Sequence, residues 1–208
     1  MKKLFSIILL AVCIACLITL CPAAQASPDN GDTGDATTAA GSRILVAYFS
    51  ATGTTRVLAE YAADILDADL YEIVPEVPYT DDDLAYYTNC RADREQNDPD
   101  ARPAISGCVD QMAEYDIVFL GYPIWHGQAP RIISTFLESY DFAGKTVVPF
   151  CTSHSSGIGS SDTNLHALAS DANWLPGRRF AAETARETIE DWIGGLDLPM
   201  AAEKLRPF

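Results

Sequence analysis

Five short apolar runs, at residues 44–49, 70–74, 117–120, 147–150 and more weakly 174–180, alternate with stretches whose apolar residues recur at helical spacing. Runs with little polar alternation read as strands covered on both faces, and the 3.6-residue period between them reads as helix. The pattern therefore predicts an α/β fold in three layers, a parallel sheet with helices on each side. In the first predicted helix Val57, Leu58, Tyr61, Ala62, Ile65 and Leu66 form the sheet-facing stripe, and Arg56, Glu60 and Asp64 take the opposite face. The helix after the third run begins near Ala129-Pro130 and presents Ile132, Ile133, Phe136, Leu137 and Tyr140. The last opens on a capping box, Thr184-Ala185-Arg186-Glu187, buries Ile189, Trp192 and Ile193, and stops at Gly194-Gly195. Residues 75–115 are too long for a plain connection and read as an excursion with short helices. Within it, Asp81-Asp82-Asp83 reads as caps and solvated charge, because no spaced ligand set for a hard metal follows.

The N-terminal stretch breaks this rhythm. Lys2 and Lys3 precede apolar residues 4–20, and Ala24-Gln25-Ala26 offers a small-x-small cleavage site, the layout of a secretory signal peptide over 1–26. An uncleaved membrane anchor is the competing reading, and lipoprotein processing at Cys16 is a variant of the first. Residues 27–41 hold no large apolar side chain and cannot offset their ordering entropy, so they read as a flexible linker before a single domain at 42–208. The expected location is secreted or cell-envelope, with membrane contact only if the signal is retained or lipidated.

Charge narrows the partners. The net of −15 becomes −17 once two lysines leave with a signal that contains no acid, which argues against nucleic acid. Of six cysteines, Cys13, Cys16 and Cys21 lie in the signal, leaving Cys90, Cys108 and Cys151. In an oxidising compartment Cys90 and Cys108 could close the excursion as a disulfide, whereas Cys151 at a strand end reads as a small buried thiol. No spacing matches a zinc or iron–sulfur site.

Ligands of open parallel sheets collect at the carboxyl ends of the strands, so three loops belong together. After the first strand, Ser50-Ala51-Thr52-Gly53-Thr54-Thr55 leads into a helix, and the unpaired N–H groups of a helix start favour a phosphate monoester. The loop carries neither a Walker Lys nor a G-x-G-x-x-G. Arg56 could reach such a phosphate or pair with Glu60 one turn on. After the third strand comes Gly121-Tyr122-Pro123-Ile124-Trp125-His126-Gly127, where Trp125 either offers a flat face to a planar ring or folds back on the core. After the fourth comes Thr152-Ser153-His154-Ser155-Ser156-Gly157, whose small residues let backbone N–H groups approach a ligand, or simply form a mobile link. His126 and His154 read as hydrogen-bonding or stacking neighbours rather than general bases, since no acid stands near them in sequence.

With these three motifs in order, residues 43–195 resemble the flavodoxin family, most closely its members whose third-strand loop reads Gly-Tyr-Pro-Ile-Trp. The resemblance implies a five-stranded parallel sheet in the order 2-1-3-4-5 and bound FMN. By resemblance Ser50, Ala51, Thr52, Gly53, Thr54 and Thr55 hold the ribityl phosphate. Pro123, Ile124, Trp125 and His126 border the isoalloxazine, and Thr152, Ser153, His154, Ser155, Ser156 and Gly157 bind its polar edge. The implied function is an exported electron carrier working with an unidentified redox protein or small-molecule acceptor. Rival functions are an NAD(P)H-dependent flavin or quinone reductase on the same fold and a secreted binding module without flavin. One departure stands out: family members often stack an aromatic from the fourth-strand loop on the flavin, and this loop offers only His154.

Overall fold

The computed structural model describes residues 42–199, all within one compact unit. The expected signal peptide, Cys16 and the linker lie outside the described residues. The sheet is built from β1 (Ile44–Tyr48), β2 (Asp69–Glu72), β5 (Ile117–Pro123), β6 (Thr146–Thr152), β7 (Asn173–Trp174) and β8 (Arg178–Phe180), and every pairing in it is parallel. Its order is β2-β1-β5-β6-β7, with β8 also pairing β6. In terms of the five predicted runs this is 2-1-3-4-5.

The fifth run is split. β7 pairs with the start of β6 at Thr146 and Val147, and β8 with its end from Phe150 to Thr152. Pro176 and Gly177 sit between the halves, and proline cannot donate to a ladder. The second run is also shifted: β2 ends at Glu72, and β3 (Val74–Pro75) leaves the sheet to pair antiparallel with β4 (Ile105–Ser106). Leu70 is consequently exposed at the sheet edge.

Strand side chains alternate between two cores, as a period of two requires. Leu45, Ala47, Phe49, Val118, Leu120 and Tyr122 join the core on the side of α3 (Arg131–Glu138). Ile44, Val46, Tyr48, Ile117, Phe119 and Phe150 pack with α1 (Thr54–Leu66) and α4 (Arg186–Gly194). The close fit explains Gly121: a Cβ there would lie 2.4 Å from Cζ of Phe150.

Local expectations fare unevenly. The buried arc of α1 runs through Thr55, Leu58, Ala59, Ala62, Ala63 and Leu66, one residue round from the predicted stripe, so Val57 faces out. α4 buries Ile189, Trp192 and Ile193 and ends at Gly194 with Gly195 as its C-cap, but its N-cap is Ala185 and no side chain caps it. Thr184 instead donates to the Ala181 carbonyl, so the capping box is not formed. Asp83 does act locally, its carboxylate accepting from the N–H and hydroxyl of Thr80. The excursion carries α2 (Arg91–Asn97), whose N-cap is Cys90: its sulfur accepts from the Asp93 N–H. Cys90 and Cys108 are free thiols, so the expected disulfide is absent; burial and capping already hold Cys90 in place.

Candidate functional site

A cleft of about 530 Å³ opens at the carboxyl ends of β1, β5, β6 and β8, within the size range of small-molecule sites. Each of the three predicted loops contributes to it. From the first come Ser50, Ala51, Thr52, Thr54 and Thr55; from the second, Pro123, Ile124 and Trp125; from the third, Thr152, Ser153 and His154. Gly53, His126, Ser155, Ser156 and Gly157 do not line it.

Gly53 shapes the first loop rather than the cleft wall. It is the N-cap of α1 at φ 85°, a left-handed conformation that glycine adopts without strain, and no side chain caps the helix. The first-turn N–H groups thus point out of the helix with no side-chain partner, and the hydroxyls of Thr52 and Thr54 flank them 3.5 Å apart. The Thr55 hydroxyl is committed elsewhere: it shares a buried 2.8 Å hydrogen bond with that of Thr152, bracing the first loop against the third. Arg56 turns away onto Glu72, with contacts of 2.7 and 2.8 Å to its two oxygens. Its partner is Glu72 rather than Glu60, because β2 beside β1 brings the Glu72 carboxylate into reach.

Trp125 folds back on the core and still forms part of the cleft wall. It is only 7% exposed, edge-on to Phe49 and Tyr79 with centroids 5.4 and 5.2 Å away, yet it still lines the cleft. Its backbone exchanges two 2.9 Å hydrogen bonds with Gln128, closing a turn in which His126 and Gly127 both have positive φ. From α2, Gln96 donates to the carbonyls of Trp125 and Ala129 and accepts from the Arg131 N–H, pinning both ends of that turn.

His126 lies behind the wall of the cleft. Its ring stacks on Tyr86 at 4.6 Å and 11°, and Nε2 lies 2.8 Å from Oδ1 of Asp93. Burial alone would raise the Asp93 pKa; hydrogen bonds from His126, from the Tyr87 backbone and from Cys90 outweigh it and hold the carboxyl below its ordinary value. No acid adjacent in sequence orients His126, but one 33 residues away does. On the third loop, Arg179 donates to the carbonyls of Ser153 and His154, and the Ser153 hydroxyl to that of Ser156. These bonds give the Ser-rich loop a fixed shape. Cys151, beneath it, has its thiol pushed up to about 12 by burial, so it is not a poised nucleophile.

Sequence reasoning missed two parts of the lining. Leu84 and Tyr86 enter from the excursion, and Ala181, Ala182 and Glu183 from the β8–α4 connection. The pair Tyr86-Tyr87 inside an otherwise polar stretch was the available signal for the first; nothing local marks the second. The lining contains no Lys or Arg and one carboxylate. Such a cleft can take a phosphate ester on neutral donors at one end and a flat, largely apolar ring at the other.

These features belong to a recognisable class, the flavin-type α/β proteins with a hydroxyl-lined helix start at the first strand exit. A flavodoxin family profile matches residues 43–196, and the chain belongs to the flavodoxin family. A protein of Bacteroides eggerthii DSM 20697 described as a flavoprotein is 48% identical, with a TM-score of 0.69 over 73% of this chain and 96% of its own. One from Bacteroides uniformis ATCC 8492 with the same description is 45% identical, with a TM-score of 0.70 over 74% of this chain and 98% of its own. A flavoprotein of Lactobacillus acidophilus NCFM, solved in complex with FMN, is 25% identical, with a TM-score of 0.53 over 66% of this chain and 93% of its own. No curated protein sequence matches the chain.

Proposed function

We propose that this chain binds FMN and carries electrons outside the cytoplasm. The observation that carries the reading is the cleft itself. An uncapped helix start with Gly53 left-handed sits beside an aromatic and apolar wall at the strand exits, and a relative at 25% identity was solved with FMN.

The residues fit that cofactor. A Cβ built on Gly53 meets nothing within 4 Å, so a ligand can approach the backbone closely, and Ser50, Thr52 and Thr54 add hydroxyl donors for a phosphate dianion. Charge-assisted bonds of this kind contribute about 1.5 to 3 kcal/mol each, which makes a cationic side chain unnecessary. Trp125, Ile124 and Pro123 would border the ring and keep water from one side of it. The loop at Ser153 and His154, held by Arg179, would present its backbone to the ring's polar edge. Bound FMN supplies a store of two electrons that can be filled and emptied one at a time. The protein's task is then to bind, orient and shield, with no side chain acting as nucleophile.

Export rests on Lys2, Lys3, the apolar stretch 4–20 and the Ala24-Gln25-Ala26 site. The test is to express the full chain, fractionate the cells and read the N-terminus of the mature protein, then titrate that protein with FMN. Saturable binding with quenched flavin fluorescence, and reduction without sustained turnover of reduced nicotinamide, support a carrier. Sustained nicotinamide turnover points to a reductase, and no saturable binding refutes the flavin reading. A cytoplasmic, uncleaved product refutes the export reading.

A further inference from the structure

The loop after β6 supplies no aromatic ring to the cleft except His154, yet a tyrosine reaches the cleft from an unexpected direction. Tyr86 comes from the excursion between β2 and β5, some forty residues before the Trp125 turn, and lines the cleft with one side of its ring already covered by His126. The covering is a near-parallel stack at 4.6 Å, and Tyr87 meets Tyr86 at 72°, against an edge rather than a face. The Tyr86 hydroxyl accepts the His126 N–H, fixing the ring's far end. His126 leaves the second face of the Tyr86 ring uncovered, and the residue as a whole is 38% exposed.

This arrangement is held from behind by one buried carboxylate. Asp93 is 4% exposed and receives both the His126 ring at 2.8 Å and the backbone N–H of Tyr87. One side chain of α2 thereby ties the Trp125–His126 turn to the Tyr86–Tyr87 segment. A buried charge that joins two otherwise separate loops is costly to move, so the ring it supports is pre-organised.

We propose that Tyr86 stacks on the ligand's planar ring, opposite the cleft wall formed by Trp125, and that His126 and Asp93 are positioning residues which hold Tyr86 in a three-ring stack of His126, Tyr86 and ligand. The inference rests on the FMN reading above and assigns its outer ring contact to the excursion rather than to the loop after β6. It also gives Asp93 and His126 a role that needs no proton transfer.

The experiment titrates the mature protein and four variants with FMN, with lumiflavin as a ring-only probe, and with inorganic phosphate as a competitor. Tyr86→Ala should weaken FMN and lumiflavin alike by about two- to tenfold, the range expected for loss of one aromatic stack, and leave phosphate competition unchanged. Tyr86→Phe, which keeps the ring, should retain most of the affinity. His126→Asn tolerates the left-handed backbone at φ 48° but removes the backing ring, and should weaken both flavins by a smaller factor. Asp93→Ala, which removes the acceptor that anchors the His126 ring, should weaken both flavins by about as much as His126→Asn. Urea midpoints check that each variant is folded, and flavin fluorescence and the midpoint potential read the stack directly. If wild type binds FMN but Tyr86→Ala matches it in affinity, quenching and potential, the stacking role is wrong and the flavin reading stands. If wild type shows no saturable FMN binding, both fall.

Discussion

Removing the hydroxyl of Thr152 tests how the site is braced. Thr55 and Thr152 are 1% and 3% exposed, and their hydroxyls share a 2.8 Å hydrogen bond. Thr152→Val keeps the shape and strands the Thr55 hydroxyl without water, which costs about 1 to 3 kcal/mol. Thr55→Val should cost a similar amount for the same reason. The double variant leaves no stranded polar atom, so it should be only slightly less stable than wild type, giving a coupling energy of about 2 to 5 kcal/mol in a double-mutant cycle. The assay is urea unfolding of all four proteins, read by tryptophan fluorescence, with FMN titration alongside. Because the bond joins the first loop to the third, each single variant should also weaken FMN binding, by about two- to fivefold if the loops part slightly. Additive losses in the double variant would refute the brace and imply that each hydroxyl has an independent partner.

Three further outcomes follow from the same geometry. Asp93 titrates below its ordinary value of 3.8 in the folded protein, so its stabilisation is present above that value and lost as pH falls through the folded pKa. The stability gap between wild type and Asp93→Asn should therefore shrink as pH falls below 3.8, as read from urea midpoints across pH; a gap that widens there would reverse the assignment. Glu183→Gln removes the one carboxylate lining a cleft without cations and should tighten FMN about twofold at low salt, with the advantage fading as ionic strength rises. Mass spectrometry of the mature protein after alkylation should find Cys108 modified first, Cys90 and Cys151 only on unfolding, and no Cys90–Cys108 bridge.

Much of the architecture was legible in the chain. The unbroken apolar runs at β1, β5 and β6 leave no polar face for solvent, so they had to be central parallel strands, and the three loops at their carboxyl ends had to be neighbours. The hydroxyl-rich turn into α1 was legible as a helix start, and it lines the cleft. These inferences worked because period and local backbone chemistry are properties of contiguous residues.

Other features depended on residues far apart in sequence. Arg56 chose Glu72 over Glu60 because strand pairing carried the former alongside, and Thr55 met Thr152 across 97 positions. Trp125 became both core and cleft wall only when Phe49 and Tyr79 closed on its edges. Tyr86, Asp93 and Gln96 belong to an excursion with no strong period, so nothing local says which way it folds. The sequence by itself determined the parallel sheet and the hydroxyl-rich helix start, since burial on both faces and free helix-start N–H groups follow from local pattern, while the strand order followed from the family resemblance. The tertiary structure decided which side chains complete the cleft, because a hydrogen bond or ring stack between distant segments exists only once packing has brought them within a few ångströms.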